Sequence, residues 1–220
     1  MLLQLQHQVD SASKACINRS VPELSLALHE NRALGRYYKE VQAGRRLLDD
    51  DPWTRLRAQA DQYFFHGFHE EIHFAALTLN DSGMSSYGSC CLLLKEALID
   101  ERASLFRENT GLYFREHQPS EKNPVTPGWR AVWAERGMLA ACKLQEQLTT
   151  TTASSDFADL LIQFSPEDAE LDDFLEVHIY GSLTIKTVQQ VVISPQSGEE
   201  SQTDRLTKRL EERKIPFQIA

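Results

Sequence analysis

The segment HEEIH at residues 69–73 matches a known chemical pattern in residue type and spacing. In the HExxH pattern, two histidines one helical turn apart bind zinc, and the first glutamate activates a water molecule. That arrangement needs a continuous helix of several turns. Here Gly67 stands two residues before the motif, and the strand-like run FAALTL follows it directly. We therefore interpret the segment as an exposed polar turn and keep a zinc hydrolase as an alternative function.

A second candidate is Glu176, the first residue of the segment EVHIY. Side chains alternate along a strand, so Glu176, His178 and Tyr180 are expected on one face and the apolar residues between them on the other. A carboxylate at the start of an interior strand can point into a cleft at the edge of a sheet. Glu176 also ends an acidic run over residues 156–176, and taken alone a solvated end to that run is the simpler interpretation.

A third group of candidates lies on two consecutive strands earlier in the chain. Tyr87, Gly88 and Ser89 form a small-residue turn ahead of the apolar run CCLLL, and Arg102 begins the next short strand. This spacing places the turn and the guanidinium at matched ends of the two strands. A structural salt bridge is the more common role of such an arginine.

The predicted secondary structure that positions these residues changes near Gly67 from helices to strands. The first third of the chain is predicted to be helical, with helix starts at Ser20-Val21-Pro22 and Asp51-Pro52-Trp53 and a break at Gly67. From there FAALTL, NDSG and YGSCCLLL predict strand, turn and strand. We predict an α+β fold with a helical part over residues 1–66 and a β-rich core over residues 67–220, in one domain or a tightly joined pair.

Later segments extend this pattern. A proline-rich loop follows His117, and residues 129–148 are predicted as a helix with Val132, Trp133, Leu139 and Leu144 toward the core. Two strands are predicted around Gly181-Ser182, then a helix over residues 203–213 and a terminal strand.

Composition excludes several classes of protein. The 220 residues are 41% hydrophobic and 25% charged, as in folded globular proteins. The net charge of −9 argues against broad binding to nucleic acid or anionic membranes. No stretch approaches a membrane span, and the segment MLLQLQHQVDSASK lacks the features of a Sec signal. The cysteines, Cys16, Cys90, Cys91 and Cys142, lack CxxC spacing and are expected to be buried, reduced thiols.

Three segments together carry a resemblance to a known superfamily. Tyr87-Gly88-Ser89 before an apolar strand, Arg102-Ala103-Ser104, and the phrase DDFLEVHIYG at residues 172–181 are similar to the core of an uncharacterised bacterial family that resembles the mono-ADP-ribosyltransferases. The phrase at residues 172–181 is the most specific match, and the resemblance covers about half the chain. It implies a split β-sheet core and NAD as a substrate.

The resemblance also implies roles for individual residues. Glu176 would hydrogen-bond the ribose 2′-hydroxyl and stabilise positive charge in the transition state. Tyr87 or Phe74 would stack on nicotinamide, with Gly88 and Ser89 beside it and Arg102 at the pyrophosphate. No metal is implied.

Two departures from the family pattern leave questions open. The family's arginine on the early strand falls on Glu71, so His66, His69 and His73 are candidates to replace it. The QxE or ExE doublet of many protein-modifying transferases is absent, because Phe174 stands two residues before Glu176.

The acceptor is accordingly open as well. Threonine-directed bacterial effectors that modify host ubiquitin are one set of candidate relatives, which would make ubiquitin or another protein with a basic surface the acceptor. The expected location is the bacterial cytoplasm, with delivery into a host cell for a toxin or effector. An inactive module with a transferase-like fold is the second alternative.

Overall fold

The computed structural model of the chain describes residues 1–30, 33–44, 51–165 and 171–220. Helices and strands are interspersed along this length. The helices are α1 (Leu2–Ala12), α2 (Val21–Glu30), α3 (Tyr37–Gln42), α4 (Pro52–Phe65), α5 (Thr110–His117), α6 (Arg136–Leu144), α7 (Phe157–Leu161) and α8 (Glu200–Glu212). The strands are β1 (Lys14–Arg19), β2 (Ile72–Thr78), β3 (Cys90–Leu94), β4 (Ala103–Phe106), β5 (Arg130–Val132), β6 (Ile162–Gln163), β7 (Asp173–Phe174), β8 (Glu176–Tyr180), β9 (Val188–Ile193) and β10 (Phe217–Ile219).

Eight of the strands form one sheet in the order β10-β9-β3-β1-β2-β8-β4-β5. Neighbouring strands are antiparallel except for β9 and β10, which run parallel. A second, small sheet pairs β6 with β7. The mixture of helices and sheet confirms the α+β class. Within the described residues, no helix has the length and apolar character needed to cross a membrane.

The middle of the large sheet is joined over a short distance only. β1 and β2 pair at three positions, of which the last is Cys16 opposite Ala76. Past that pair, β1 continues to Arg19 along β3, and β2 runs back to Ile72 along β8. The sheet therefore opens between β1 and β2 into two four-stranded halves, which remain connected at one end.

The two faces of the sheet are covered differently. One face carries the main apolar core, with side chains from β1, β3, β8 and β9 packed against α1, α2, α6, α7 and α8. On the opposite face, Phe106 packs with Ala60 and Phe64 of α4 and with Tyr113 of α5. Helices α4 and α5 thus cover the half of the sheet that contains β4 and β8.

Local sequence signals explain the bounds of α4. Asp51 is its N-cap, and the carboxylate accepts a hydrogen bond from the backbone N–H of Thr54 at 2.8 Å. Pro52 occupies the first turn, where its missing N–H costs nothing. The helix ends at His66, whose backbone is left-handed (φ 39°), and Gly67 follows with φ 84°. The predicted start and break are both confirmed.

The prediction of a wholly helical first third is wrong at β1, which lies in the middle of the large sheet. The segment KACINR has only six residues and no turn signal beside it, so propensity alone does not indicate a strand. Because β1 pairs with β2 and β3, residues 1–66 and 67–220 contribute to the same sheet.

The predicted helix over residues 129–148 is shorter than expected. Residues 130–132 form β5, and α6 occupies Arg136–Leu144. Trp133, Leu139 and Leu144 are buried as predicted, but Val132 is exposed on the edge strand β5. The closing helix and terminal strand were predicted close to their observed positions as α8 and β10.

Two further predictions need correction. Cys16, Cys90 and Cys91 are buried, but Cys142 on α6 is exposed, and all four are free thiols. The acidic run is not uniformly solvated, because Asp172 is fully buried and accepts hydrogen bonds from the Ser86 hydroxyl and the Ser165 backbone N–H. Glu167, Asp168 and Glu170 of that run lie outside the described residues.

Candidate functional site

A cleft of about 440 Å³ occupies the opening between β1 and β2. Strand residues on both sides of the opening line it, and α3 and α4 contribute further side chains. Its lining is rich in aromatic and charged groups. These are Tyr37, Tyr38, Trp53, Phe74, Tyr87 and Phe174, the cations Arg19, Arg36 and Arg57, and the carboxylates Glu23, Glu40, Asp61 and Glu176.

Glu176 lies at the bottom of this cleft and is 2% exposed. Its Oε1 accepts a hydrogen bond from Arg57 Nη2 at 2.6 Å. Its Oε2 accepts from the Thr110 backbone N–H at 2.8 Å, from the Thr110 hydroxyl at 2.5 Å and from His178 Nε2 at 3.2 Å. Burial alone would raise the pKa of Glu176, but Arg57, His178 and Thr110 outweigh it and hold the pKa well below its ordinary value. The carboxylate is therefore ionised at neutral pH.

Arg57 on α4 connects the acidic groups of the cleft. Its Nε donates to Asp61 at 3.0 Å and its Nη1 donates to the Asn109 side chain at 2.7 Å. The guanidinium carbon lies 4.6 Å from the ring centroid of Phe74, a cation–π arrangement. Burial favours the neutral form, but Asp61 and Glu176 prevail and raise the pKa of Arg57. One cation, with 19% of its side chain exposed, thus holds two carboxylates and covers an aromatic face.

Asp61 is the second buried carboxylate, also 2% exposed. Besides Arg57, it accepts a hydrogen bond from the Tyr38 hydroxyl at 2.6 Å. Burial raises the pKa of Asp61 to about 6, against the lowering influence of Arg57 and Tyr38. Burial and Asp61 together raise the pKa of Tyr38 far above its ordinary value. Asp61 therefore exchanges a proton near neutral pH, whereas Tyr38 keeps its own.

His178 stands beside Glu176 on the same face of β8, as the alternation of side chains predicted. Its ring packs edge-on against Phe65 and Phe74, at centroid distances of 4.7 and 5.7 Å. Burial lowers the pKa of His178, opposed by Glu176, so the neutral ring donates its Nε2 proton to the carboxylate. The apolar residues of the strand, Val177 and Ile179, face the main core.

Three of the predicted cofactor-binding residues line the cleft: Phe74, His73 and Tyr87. Tyr87 is about half exposed, and Phe74 is covered in part by Arg57. His73 is 2% exposed, and neither of its ring nitrogens has a hydrogen-bond partner among the described residues. Burial lowers the pKa of His73 to about 3, so its ring is neutral.

Gly88 and Ser89 stand behind the cleft rather than in its lining. At Gly88 the backbone has φ 137°, and a Cβ atom would lie 2.3 Å from the Arg19 carbonyl carbon. The Asn18 side chain ties this turn to β1, donating to the Gly88 carbonyl and accepting from the Met84 backbone N–H. Gly88 is thus explained by close packing of the turn on β1. The Ser89 hydroxyl is buried and has no hydrogen-bond partner in the described part of the chain.

Arg102 and His66 lie away from Glu176. Arg102 donates to the backbone carbonyls of Leu98, Tyr180 and Ser182, at the end of β8 opposite Glu176. His66 ends α4 and does not line the cleft. In these positions both residues serve the structure of turns and helix ends.

The HEEIH segment does not form the helix that a zinc protease requires. Residues 69–71 form one turn of 3-10 helix, and Ile72 begins β2, so His69 and His73 share no helical face. Glu71 instead forms ion pairs with Arg36 and Lys39. The His69 ring packs against Tyr38 at 4.9 Å.

Another group of potential metal ligands lies outside the cleft. Single ligand atoms of Glu108, Glu116 and His117 all lie within 4.8 Å of one another. Glu116 and His117 are exposed at the end of α5, and exposed groups of this kind commonly occur without a metal. We assign no metal to them.

Sequence reasoning placed His178 beside Glu176 but missed the other residues that surround it. Asn109 and Thr110 carry a recognisable signal, because Asn-Thr before a helical segment is typical of an N-cap, and the Asn109 side chain does accept from the Gly111 N–H. Arg57, Asp61 and Tyr38 carry no such signal, since they belong to ordinary amphipathic helices distant in sequence from β8. Comparison of the chain with protein-family models and with curated proteins finds no match.

Proposed function

We propose that this protein is a mono-ADP-ribosyltransferase, which transfers ADP-ribose from NAD to a protein acceptor. The observation that supports this best is an ionised glutamate, Glu176, at the bottom of a cleft with Phe74 and Tyr87 in its lining. The strand that carries Glu176 is also the segment with the most specific resemblance to the superfamily.

The architecture around the cleft favours the same proposal. The resemblance implies a split β-sheet core, and the sheet opens between β1 and β2 where the cleft lies. Strand residues from both halves of the sheet line this opening and could contact an elongated molecule along its length. A dinucleotide is an elongated ligand that suits such a site.

The lining also offers groups that match the parts of NAD. Tyr87, which is about half exposed, presents an aromatic face for the nicotinamide ring, and Phe74 offers the part of its ring that Arg57 does not cover. Arg19 and Arg36 line the cleft and can meet the pyrophosphate, although Arg36 is also paired with Glu71. The lining contains carboxylates as well as arginines, so binding depends on where the charges lie rather than on a net positive field.

In the proposed reaction, the bond between nicotinamide and ribose breaks through a transition state with oxocarbenium character. Glu176 is charged before the reaction starts, so it can stabilise the developing positive charge without reorganisation. Such a group contributes on the order of 3 kcal/mol to transition-state stabilisation. Among the described residues, Arg57 is the donor found on Oε1, which leaves a lone pair of that atom for the ribose 2′-hydroxyl.

The protein acceptor and the biological setting are also part of the proposal. We infer an acceptor with a basic surface, such as ubiquitin, because the chain carries a net charge of −9. The acidic run before Glu176 is a candidate docking region, although part of it lies outside the described residues. A toxin or effector delivered into a host cell is the setting that the resemblance suggests.

A second candidate function is a binding module that keeps the cleft without turning over NAD. The observation in its favour is that Glu176 already accepts four hydrogen bonds from protein groups. A carboxylate engaged in this way can serve mainly to hold α4 and α5 against β8. The two candidates differ in whether nicotinamide is released.

The test is incubation of the purified protein with labelled NAD and a cell lysate, measuring nicotinamide release and labelled protein. We expect both products from the wild type and a loss of about 100-fold in Glu176→Gln. Glu101→Gln, at an exposed glutamate, is the matched control and should behave as the wild type. Circular dichroism of each variant checks folding.

The outcomes separate the candidates. NAD binding by calorimetry without nicotinamide release supports the binding module and contradicts the transferase.

A further inference from the structure

Two buried carboxylates in the cleft share one edge of a single guanidinium. Asp61 Oδ1 accepts from Arg57 Nε, and Glu176 Oε1 accepts from Arg57 Nη2. These two donors lie on the same edge of the arginine side chain, which brings the two acidic groups close together. The pair differs in its remaining partners. Glu176 has three further hydrogen bonds to Thr110 and His178, whereas Asp61 has the Tyr38 hydroxyl.

This difference in partners separates the proton affinities of the two acids. Glu176 stays ionised because donors surround it, and burial raises the pKa of Asp61 to about 6. The groups that face Asp61 are Arg57 from its own helix, Tyr38 from α3 and Glu176 from β8. Adjacent acids with separated pKa values are typical of sites where one acid holds charge and the other moves protons.

Tyr38 connects Asp61 to the cleft. Its hydroxyl gives its proton to Asp61 Oδ2 at 2.6 Å, and Tyr38 itself lines the cleft. Across the part of the chain that the structure describes, no protein donor to the Tyr38 oxygen is found. A lone pair of that oxygen can therefore accept a hydrogen bond from a molecule in the cleft.

We propose that Tyr38 and Asp61 form a proton relay that deprotonates a hydroxyl group as it attacks the ribose of NAD. This inference rests on the proposed transferase function and names the acceptor chemistry of the same site. Tyr38 contacts the acceptor, and Asp61 acts through Tyr38 as the final proton acceptor.

The step balances without any further reactant. The acceptor oxygen forms a bond to ribose C1′ while the bond from C1′ to the nicotinamide nitrogen breaks, and its electron pair stays with nicotinamide. The hydroxyl proton moves to the Tyr38 oxygen as the proton of Tyr38 moves to Asp61. Asp61 ends the step neutral and returns the proton to solvent after product release.

The same geometry disfavours an arginine acceptor. Arg57 already occupies the facing edges of Asp61 and Glu176, so a second guanidinium would have to displace it. A neutral hydroxyl needs only the oxygen of Tyr38. The hydroxyl can come from a serine, threonine or tyrosine of a protein, or from water.

The test compares Tyr38→Phe and Asp61→Asn with Tyr63→Phe, a matched control at a tyrosine outside the cleft lining. Nicotinamide release is measured against NAD concentration and pH, and the modified residue is identified by mass spectrometry. We expect both relay variants to lose about 100-fold in kcat with KM for NAD changed less than twofold. We also expect the rate of nicotinamide release by the wild type to fall below pH 6. The rate of Asp61→Asn should not show this fall.

Each outcome decides the proposal. If Tyr38→Phe, which removes one oxygen and keeps the ring, behaves as Tyr63→Phe, the relay is wrong and the transferase proposal stands. If mass spectrometry finds ADP-ribose on an arginine of the acceptor, the proposal of a hydroxyl acceptor is wrong. No nicotinamide release from the wild type overturns the transferase proposal and the relay with it. Label on a protein hydroxyl identifies a protein acceptor, and free ADP-ribose alone identifies water as the source of the hydroxyl.

Discussion

Two glutamates near the start of α5, Glu176 and Glu108, are both removed from solvent to a large extent, yet their proton affinities move in opposite directions. Glu176 accepts four hydrogen bonds and its pKa is held below its ordinary value. Glu108 has one buried oxygen that accepts no hydrogen bond from the residues that the structure describes. Burial, with Asp173 and Glu116 adding to it, raises the pKa of Glu108 to about 7. Donors within reach, rather than burial, decide which carboxylate stays charged.

The difference follows from where each residue lies. Glu176 faces the first backbone N–H of α5 and a partly buried arginine, which together replace water. Glu108 stands two residues before the helix and faces Lys143 in company with two acidic neighbours. The surroundings of Glu176 therefore stabilise a negative charge on its carboxylate, whereas the surroundings of Glu108 destabilise one. Four variants test this contrast.

Replacing Arg57 with methionine should have the largest effect. It leaves Asp61 and Glu176 buried without their shared cation, and removing one partner of a buried ion pair costs about 3–5 kcal/mol in the free energy of unfolding. We expect that loss at pH 7 and a smaller one at pH 4, where the carboxylates take up protons. Urea unfolding at both pH values measures it, with the exposed Arg205→Met as control. An equal loss at both pH values would show that the charges of Asp61 and Glu176 are not the cause of the destabilisation.

Glu176→Gln should lower the free energy of unfolding at pH 7 by about 2 kcal/mol, because hydrogen bonds to a charged acceptor are lost. The folded-state pKa of Glu176 is depressed, so its contribution is present above the ordinary pKa of 4.5 and is lost as the pH falls. The wild type should therefore lose stability in acid more steeply than the variant. Parallel curves for the two proteins between pH 3 and 7 would show that Glu176 is not the group responsible.

Glu108→Gln should act in the opposite direction. The folded-state pKa of Glu108 is raised, so its contribution is fully present below pH 4.5 and is lost as the pH rises to about 7. Above that pH, the neutral variant should be more stable than the wild type by about 1 kcal/mol, after allowance for solvent screening. The two proteins should unfold alike at pH 4. If Glu108→Gln is less stable than the wild type at pH 8, the charge on Glu108 stabilises the fold as that on Glu176 does, and the predicted difference between them is wrong.

The smallest effect is expected from Glu116→Gln at the exposed end of α5. Glu116 raises the pKa of Glu108 by charge repulsion, so its removal should lower that pKa. A carboxyl-detected NMR titration of Glu108 in the wild type and the variant measures the change, and added salt should diminish it. No change at low salt would show that burial and Asp173 alone set the value.

The sequence predicted much of the sheet, because strong local patterns fall on its strands. β3 and β9 are dense in apolar and β-branched residues, and the turn NDSG separates β2 from β3. The alternation along β8 placed Glu176 and His178 on one face, as observed. β1 and β5 were missed, since strands of six and three residues carry too little pattern to outweigh helical neighbours.

The candidate site was less accessible to sequence reasoning. Glu176 stood out because a recognisable strand carries it, but its partner Arg57 lies 119 residues away in the chain. A salt bridge across that distance leaves no spacing to detect. Tyr38 and Asp61 were missed for the same reason, since only the folded chain brings α3 and α4 together at the cleft.

The central position of β1 has a consequence for how the chain folds. β1 at residues 14–19 pairs with β2 at residues 72–78 and β3 at residues 90–94, and the Asn18 side chain bonds to Gly88, 70 residues later. During synthesis, β1 cannot be paired on both edges until β3 has left the ribosome. Contacts so distant in sequence slow folding, and an unpaired strand edge exposed meanwhile promotes aggregation. We expect refolding yield to fall with protein concentration and to depend more on β1 than on the edge strands β5 and β10.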